Sequence, residues 1–204
     1  MSILWLLIVP LFIFLLIQSD SHIQKRRAQL QYIDDYVFHP AIKDKLKAKH
    51  PLLHEAQLDL VFWGLRDYFY ICNEAQGRMV SMPSQAVDDV WHEFILFSRD
   101  YDEFCQNALG RFLHHTPAEA MRTPTAAQEG IKLAWRLACV KEGIDPKKPA
   151  KLPLLFAIDS LVMEGGFIYK LDCTSLTSGN HEFCASNIGC GGGGCGGCGG
   201  CGAG

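Results

Sequence analysis

The chain has no excess of charge of either sign: 19 basic against 22 acidic side chains leave a formal net charge of -3 over 204 residues. Binding nucleic acid through an overall field takes a strong basic excess, so that class is excluded as a global property and no nucleic-acid partner is expected. No segment sustains a two-residue alternation of apolar and polar side chains, which leaves an all-α body. Also missing are a G-x-S-x-G elbow, a phosphate-binding loop, an H-E-x-x-H helix and a dinucleotide glycine fingerprint after a strand. The polyglycine end is no substitute, because no strand precedes it and no helix follows to supply a dipole. Enzymes of common mechanism find little support.

What the chain does have begins with an apolar run. Residues Ile3 to Ile17, "ILWLLIVPLFIFLLI", carry no polar side chain, and with Met1 and Ser2 ahead of them they reach about the lower limit of a bilayer-spanning helix. A signal peptide is the competing reading, disfavoured because no cation precedes the run and no small-x-small cleavage pattern follows it. Lys25, Arg26 and Arg27 lie just beyond the run, and the positive-inside tendency then predicts a single-pass membrane protein, N-terminus out and body cytoplasmic. The lipid bilayer is the first expected partner. The expected organisation is a transmembrane anchor over 1–24, a helical domain over 25–172 and a Cys/Gly-rich tail over 173–204.

About five helices are predicted for the body. "LLHEAQLDLVFWGLRDYFYICNEA" keeps apolar residues near the helical period from Leu52 to Ala75, with Pro51 suited to its first turn and Gly77 to its end. Ser84 can cap a helix over Gln85 to Leu109, with Ser98 as a second cap that would bend it or divide it in two. Thr123 or Thr125 opens a helix that ends at Gly143. The piece from Tyr32 to His50 reads as one helix broken at Pro40. "LPLLFAIDSLVMEGG" is a short helix, and "GFIYKLD" a short extended piece.

Two stretches could carry chemistry. In "VDDVWHEF", residues Val87 to Phe94, Asp88 and His92 are four apart and share a helical face, so the carboxylate could orient the imidazole as a base or metal ligand. His114 and His115, in "GRFLHHTP", lie on a turn able to fold back toward that helix, and imidazoles with a carboxylate suit zinc or another divalent metal. The competing account places Val87, Val90, Trp91, Phe94 and Ile95 on a buried face, with His92 a satisfied residue at its edge. Of the nine cysteines, Cys72, Cys105 and Cys139 stand singly among apolar neighbours and read as small core residues. The other six crowd into 173–204. There Cys190, Cys195, Cys198 and Cys201 have the spacing C-x4-C-x2-C-x2-C, which suits an iron-sulfur cluster, zinc or Cu(I), with Cys173, Cys184 and His181 as further ligands. An unliganded, disordered thiol tail that contacts a protein partner and covalent processing of the Gly-Cys repeats remain open beside the metal.

"VDDVWH", "YDEFC", "GRFLHH" and the Cys/Gly end, taken in that order, resemble the glycine-rich domain-containing proteins. The resemblance covers roughly Asp59 to Pro117 and the tail, and rests on Asp88, Trp91, His92, Tyr101, Cys105 and His114. Phe94 stands where the plant-like W-H-x-H pattern has its second histidine. The resemblance implies an α-helical module and no established reaction. The expected function is thus a membrane-anchored binding or scaffold protein with a metal-binding tail, and the alternative is a metal-dependent enzyme around Asp88, His92, Cys105 and His114.

Overall fold

One helix, α3 (Glu55–Glu74), organises the chain, and every other helix touches it. In the computed structural model of the protein the described residues are 4–116, 124–171, 182–185 and 188. Around α3 stand α1 (Leu4–Asp35), α2 (Pro40–Lys49), α4 (Gln85–Leu96), α5 (Ser98–Leu109), α6 (Pro124–Lys141) and α7 (Leu154–Val162). Two three-residue strands, β1 (Ile168–Lys170) and β2 (Glu182–Cys184), pair in parallel. The fold among the described residues is therefore mostly helical, with seven helices rather than about five.

α3 can sit at the centre because it is apolar on most of its circumference: Leu58, Val61, Phe62, Leu65, Tyr68, Phe69, Ile71 and Cys72 are all buried. Gly64 allows a close approach of two neighbours. A Cβ there would stand 2.8 Å from Ile158 Cδ1 on α7 and 2.8 Å from Val87 Cγ2 on α4, so a larger residue would prise both helices away. Phe69, Phe94 and Phe104 bring α3, α4 and α5 together with ring centroids 4.6–6.2 Å apart. Such separations favour tilted and edge contacts, as observed.

Several predicted boundaries shift for local reasons. α3 starts four residues after Pro51, where His54 and Gln57 form a reciprocal cap. The helix expected over Gln85 to Leu109 is two helices, broken at Phe97 (φ -83, ψ 61), one residue before the expected second cap. Gly110, at φ +68, ends α5 in a conformation that suits glycine. Pro40 does start a new helix.

The amino-terminal expectation is corrected. The apolar run from Leu4 onward does not form a separate span: α1 continues through Gln18, Asp20 and the basic residues to Asp35 as one element. Among the described residues no helix is long and apolar enough to cross a membrane. The physical reason is length, since about fifteen apolar residues rise about 22 Å against a hydrocarbon core of about 30 Å. The single-pass, N-out arrangement with a cytoplasmic body is overturned with it. The carboxyl-terminal half of α1 belongs to the helical body: Ile33 is buried, Arg26 pairs with Glu74, and Tyr32 packs on Phe104 at 6.0 Å.

Among the described residues past 172, two side chains meet the core. Ala185 is fully buried and Ile188 lies against the core, while β2 takes its register from β1 with Tyr169 opposite Phe183.

Candidate metal centre

The site rests on how α4 is held. Asp159 is a single carboxylate in the apolar run of α7, only 1 % exposed, yet it accepts hydrogen bonds from Ser84 Oγ (2.5 Å) and from the amides of Gln85 (2.8 Å), Ala86 (3.2 Å) and Phe167 (2.8 Å). The first two amides belong to the opening turn of α4, where unpaired N–H groups and the positive dipole end favour an anion. Gly166 makes room, because a Cβ there would fall 2.6 Å from Asp159 Oδ2. Sequence reasoning missed this role. Its signal was available, since a charged residue inside "LLFAIDSLV" has to find donors in the core.

The next link is a relay from α4 to the turn after α5. Trp91 Nε1 donates to the Tyr101 hydroxyl at 3.1 Å, and that hydroxyl donates to the Leu113 carbonyl at 2.6 Å. Trp91 and Tyr101 are both buried. Burial pushes the Tyr101 phenol up, so it stays a neutral donor. Pinning Leu113 in this way swings the following residues over α4, and His115 packs edge-on against Trp91 at 4.6 Å between centroids.

Three ligand groups converge as a result. His115 Nε2 lies 3.1 Å from Asp88 Oδ1, and His92 Nδ1 lies 3.7 Å from Asp88 Oδ2. The two imidazole centroids are 4.3 Å apart, and the ligand atoms of all three side chains fall within 4.8 Å of one another. Ligands at zinc distances in a tetrahedron stand about 3.3 Å apart; His115 meets that spacing on Asp88 Oδ1, while His92 approaches the other oxygen, Oδ2, and has to turn to share one ion with them. The side chain of His115 is 18 % exposed, that of Asp88 28 % and that of His92 46 %. His92 is therefore the side that faces water and has room to adjust.

Not every predicted ligand joins. His114 points to the exterior and packs on Phe112 at 4.8 Å, because neighbouring residues of an extended turn project oppositely. Cys105 is fully buried on α5, its sulfur in contact with Tyr101 and Leu113, and burial pushes its thiol up. It serves the relay from beneath and lies outside the converging set. Asp89 and Glu93 are occupied elsewhere: Asp89 takes Lys49 Nζ at 2.5 Å and His50 Nε2 at 2.7 Å, and Glu93 pairs with Lys45 at 3.1 Å. Both tie α2 to α4. The candidate tail ligands Cys190, Cys195, Cys198 and Cys201, with Cys173 and His181, lie outside the described residues, as does the side chain of Cys184.

A family model described as UCP032817-like matches residues 28–188, and the chain belongs to that family. No curated protein and no solved structure matches it. The resemblance to the glycine-rich domain-containing proteins is corrected by this match. The V-D-x-x-W-H residues have a local explanation: Val87 and Trp91 bury one face of α4 while Asp88 and His92 occupy its rim, a pattern set by helix period.

Proposed function

We propose that this UCP032817-like protein is a helical metal-binding protein whose Asp88, His92 and His115 hold one divalent transition ion, zinc being the best fit. The carrying observation is that three ligand atoms from two separate elements meet within 4.8 Å, at a place set by the Trp91–Tyr101–Leu113 relay. Two imidazole nitrogens and a carboxylate oxygen form a borderline donor set that suits zinc and resists hard cations such as magnesium. In the metal-free protein the Nε2–H of His115 donates to Asp88; when an ion takes the place of that hydrogen, the neutral ring carries its proton on Nδ1 instead, so that Nε2 offers its lone pair. Three protein ligands leave the fourth position for water, on the exposed side next to His92.

The four clustered thiols Cys190, Cys195, Cys198 and Cys201 would supply a separate, softer locus for zinc or an iron-sulfur cluster. The test therefore uses a full-length chain with those four cysteines changed to serine, stripped of metal and titrated with zinc against a chromophoric chelator. One equivalent should bind. D88A, H92A and H115A should each weaken it by at least about 100-fold, while H114A leaves it unchanged. Absence of a bound equivalent, or an H92A affinity equal to that of the parent, would leave the three residues as a hydrogen-bonded helix rim. Metal content that disappears with the serine changes alone would place the ion in the tail instead.

A further inference from the structure

A cavity of about 540 Å³ opens between the basic part of α1 and the carboxyl-terminal ends of α3 and α5, lined by His22, Lys25, Arg26, Asn73, Leu109 and Arg111 among others. Its volume lies in the range of small-molecule sites, about 300–1,000 Å³. It shares no residue with the Asp88 cluster.

Two features point to its ligand. The first is charge. Of the three strong cations on its wall, Arg26 is paired with Glu74, whereas among the described residues Lys25 and Arg111 form no ion pair. The ends of α3 and α5 oppose this with about half a negative charge each. Those ends are already capped: Arg78 Nε donates to the Ala75 carbonyl, Gly110 N to Gln106, and Asn73 Nδ2 to Ala108. Two full cations against about one unit of partial negative charge leave the cavity positive.

The second feature is an unused acceptor. Asn73 is 4 % exposed, and its Nδ2 already serves Gln29 Oε1 at 3.1 Å and the Ala108 carbonyl at 2.8 Å. Its Oδ1 is buried and has no partner, and the Nε of Arg26 is a buried donor in the same condition. Buried polar atoms of this kind are uncommon and call for a partner.

We infer that this cavity binds a small phosphate ester bearing a free hydroxyl: Lys25 and the Arg111 fork take the phosphate oxygens, and the hydroxyl donates to Asn73 Oδ1. Guanidinium matches phosphate bidentately, while a carbonyl acceptor selects for the hydroxyl. The Cys72 thiol on the same wall is pushed up to about 12 by burial, stays protonated and leaves the ester intact.

The probe is sn-glycerol 3-phosphate, titrated calorimetrically into the full chain beside inorganic phosphate and glycerol. The ester should bind more tightly than inorganic phosphate, and glycerol should give no heat. K25Q, on an exposed residue whose replacement leaves the fold alone, and R111Q should each weaken the ester by about tenfold. Sedimentation with phosphatidylinositol vesicles distinguishes the source: retention that K25Q removes and free ester displaces assigns the same chemistry to a lipid headgroup. No binding at about 10 mM, an affinity no better than that of inorganic phosphate, or indifference to both substitutions would overturn the assignment.

Discussion

Tyr101→Phe is the sharpest perturbation of the relay that places His115. The substitution keeps the ring, so the contacts with Phe94 at 5.2 Å and Phe112 at 5.4 Å survive, and only one oxygen is lost. That oxygen, however, serves two partners. Trp91 Nε1 loses its acceptor and the Leu113 carbonyl loses its donor. Each buried group left unpaired costs about 1–3 kcal/mol. With Trp91 dry and the turn at Leu113 partly open to water, the sum should be about 3 kcal/mol, or about 6–12 °C in the unfolding midpoint of a chain this size. Zinc affinity should fall by roughly tenfold as well, because His115 must then be ordered when the ion binds. Leu155→Ala supplies the control. Leu155 is buried on α7, and its truncation should destabilise by a similar 2–5 kcal/mol or so while leaving zinc affinity unchanged. The reasoning fails if Y101F unfolds within about 1 °C of the parent with its zinc affinity intact. It fails equally if L155A loses zinc to the same extent.

Further outcomes follow from the buried carboxylate and the buried thiols. Asp159→Ala should cost about 3–5 kcal/mol in urea unfolding, since Ser84 Oγ and three amides lose one common acceptor. Asp159→Asn should cost nearly as much, because its NH2 group would face donors; an unchanged midpoint for either variant refutes the capping role. Burial pushes Cys72 and Cys139 up to about 12 from an ordinary value of 9.0. A folded pKa above the unfolded one means that the neutral thiol's contribution is complete below about pH 9 and is lost as pH rises through about 12. Stability should therefore decline across that alkaline window. Iodoacetamide at about pH 8 should leave Cys72, Cys105 and Cys139 unmodified in the native chain and react with all three once it is unfolded, as read by mass spectrometry.

Much of the architecture could be read from residue order. The period of "LLHEAQLDLVFWGLRDYFYICNEA" marked α3, Pro40 marked the break before α2, and Ser84 marked the start of α4, because helix period and caps are local physics. The apolar run at the amino terminus misled for the opposite reason. Its composition suited a membrane span, but its length falls short of one, and its continuation as one helix into Asp35 is not registered by composition.

The candidate site was legible only in part. Asp88 and His92 were evident because four residues make one helical turn, and that alone puts them on a common face. Which of the adjacent His114 and His115 would join them depends on the path of the turn. That path is fixed by a hydroxyl shared between Trp91 and Leu113, twenty-two positions apart in the chain. The sequence by itself determined α3, the start of α4 with its buried stripe, and the carboxylate–imidazole pair on its rim. Tertiary structure alone decided that His115 completes the set, that Cys105 is sealed beneath it and that Asp159 anchors α4, since each depends on contacts between segments whose separation in sequence carries no record of distance in space.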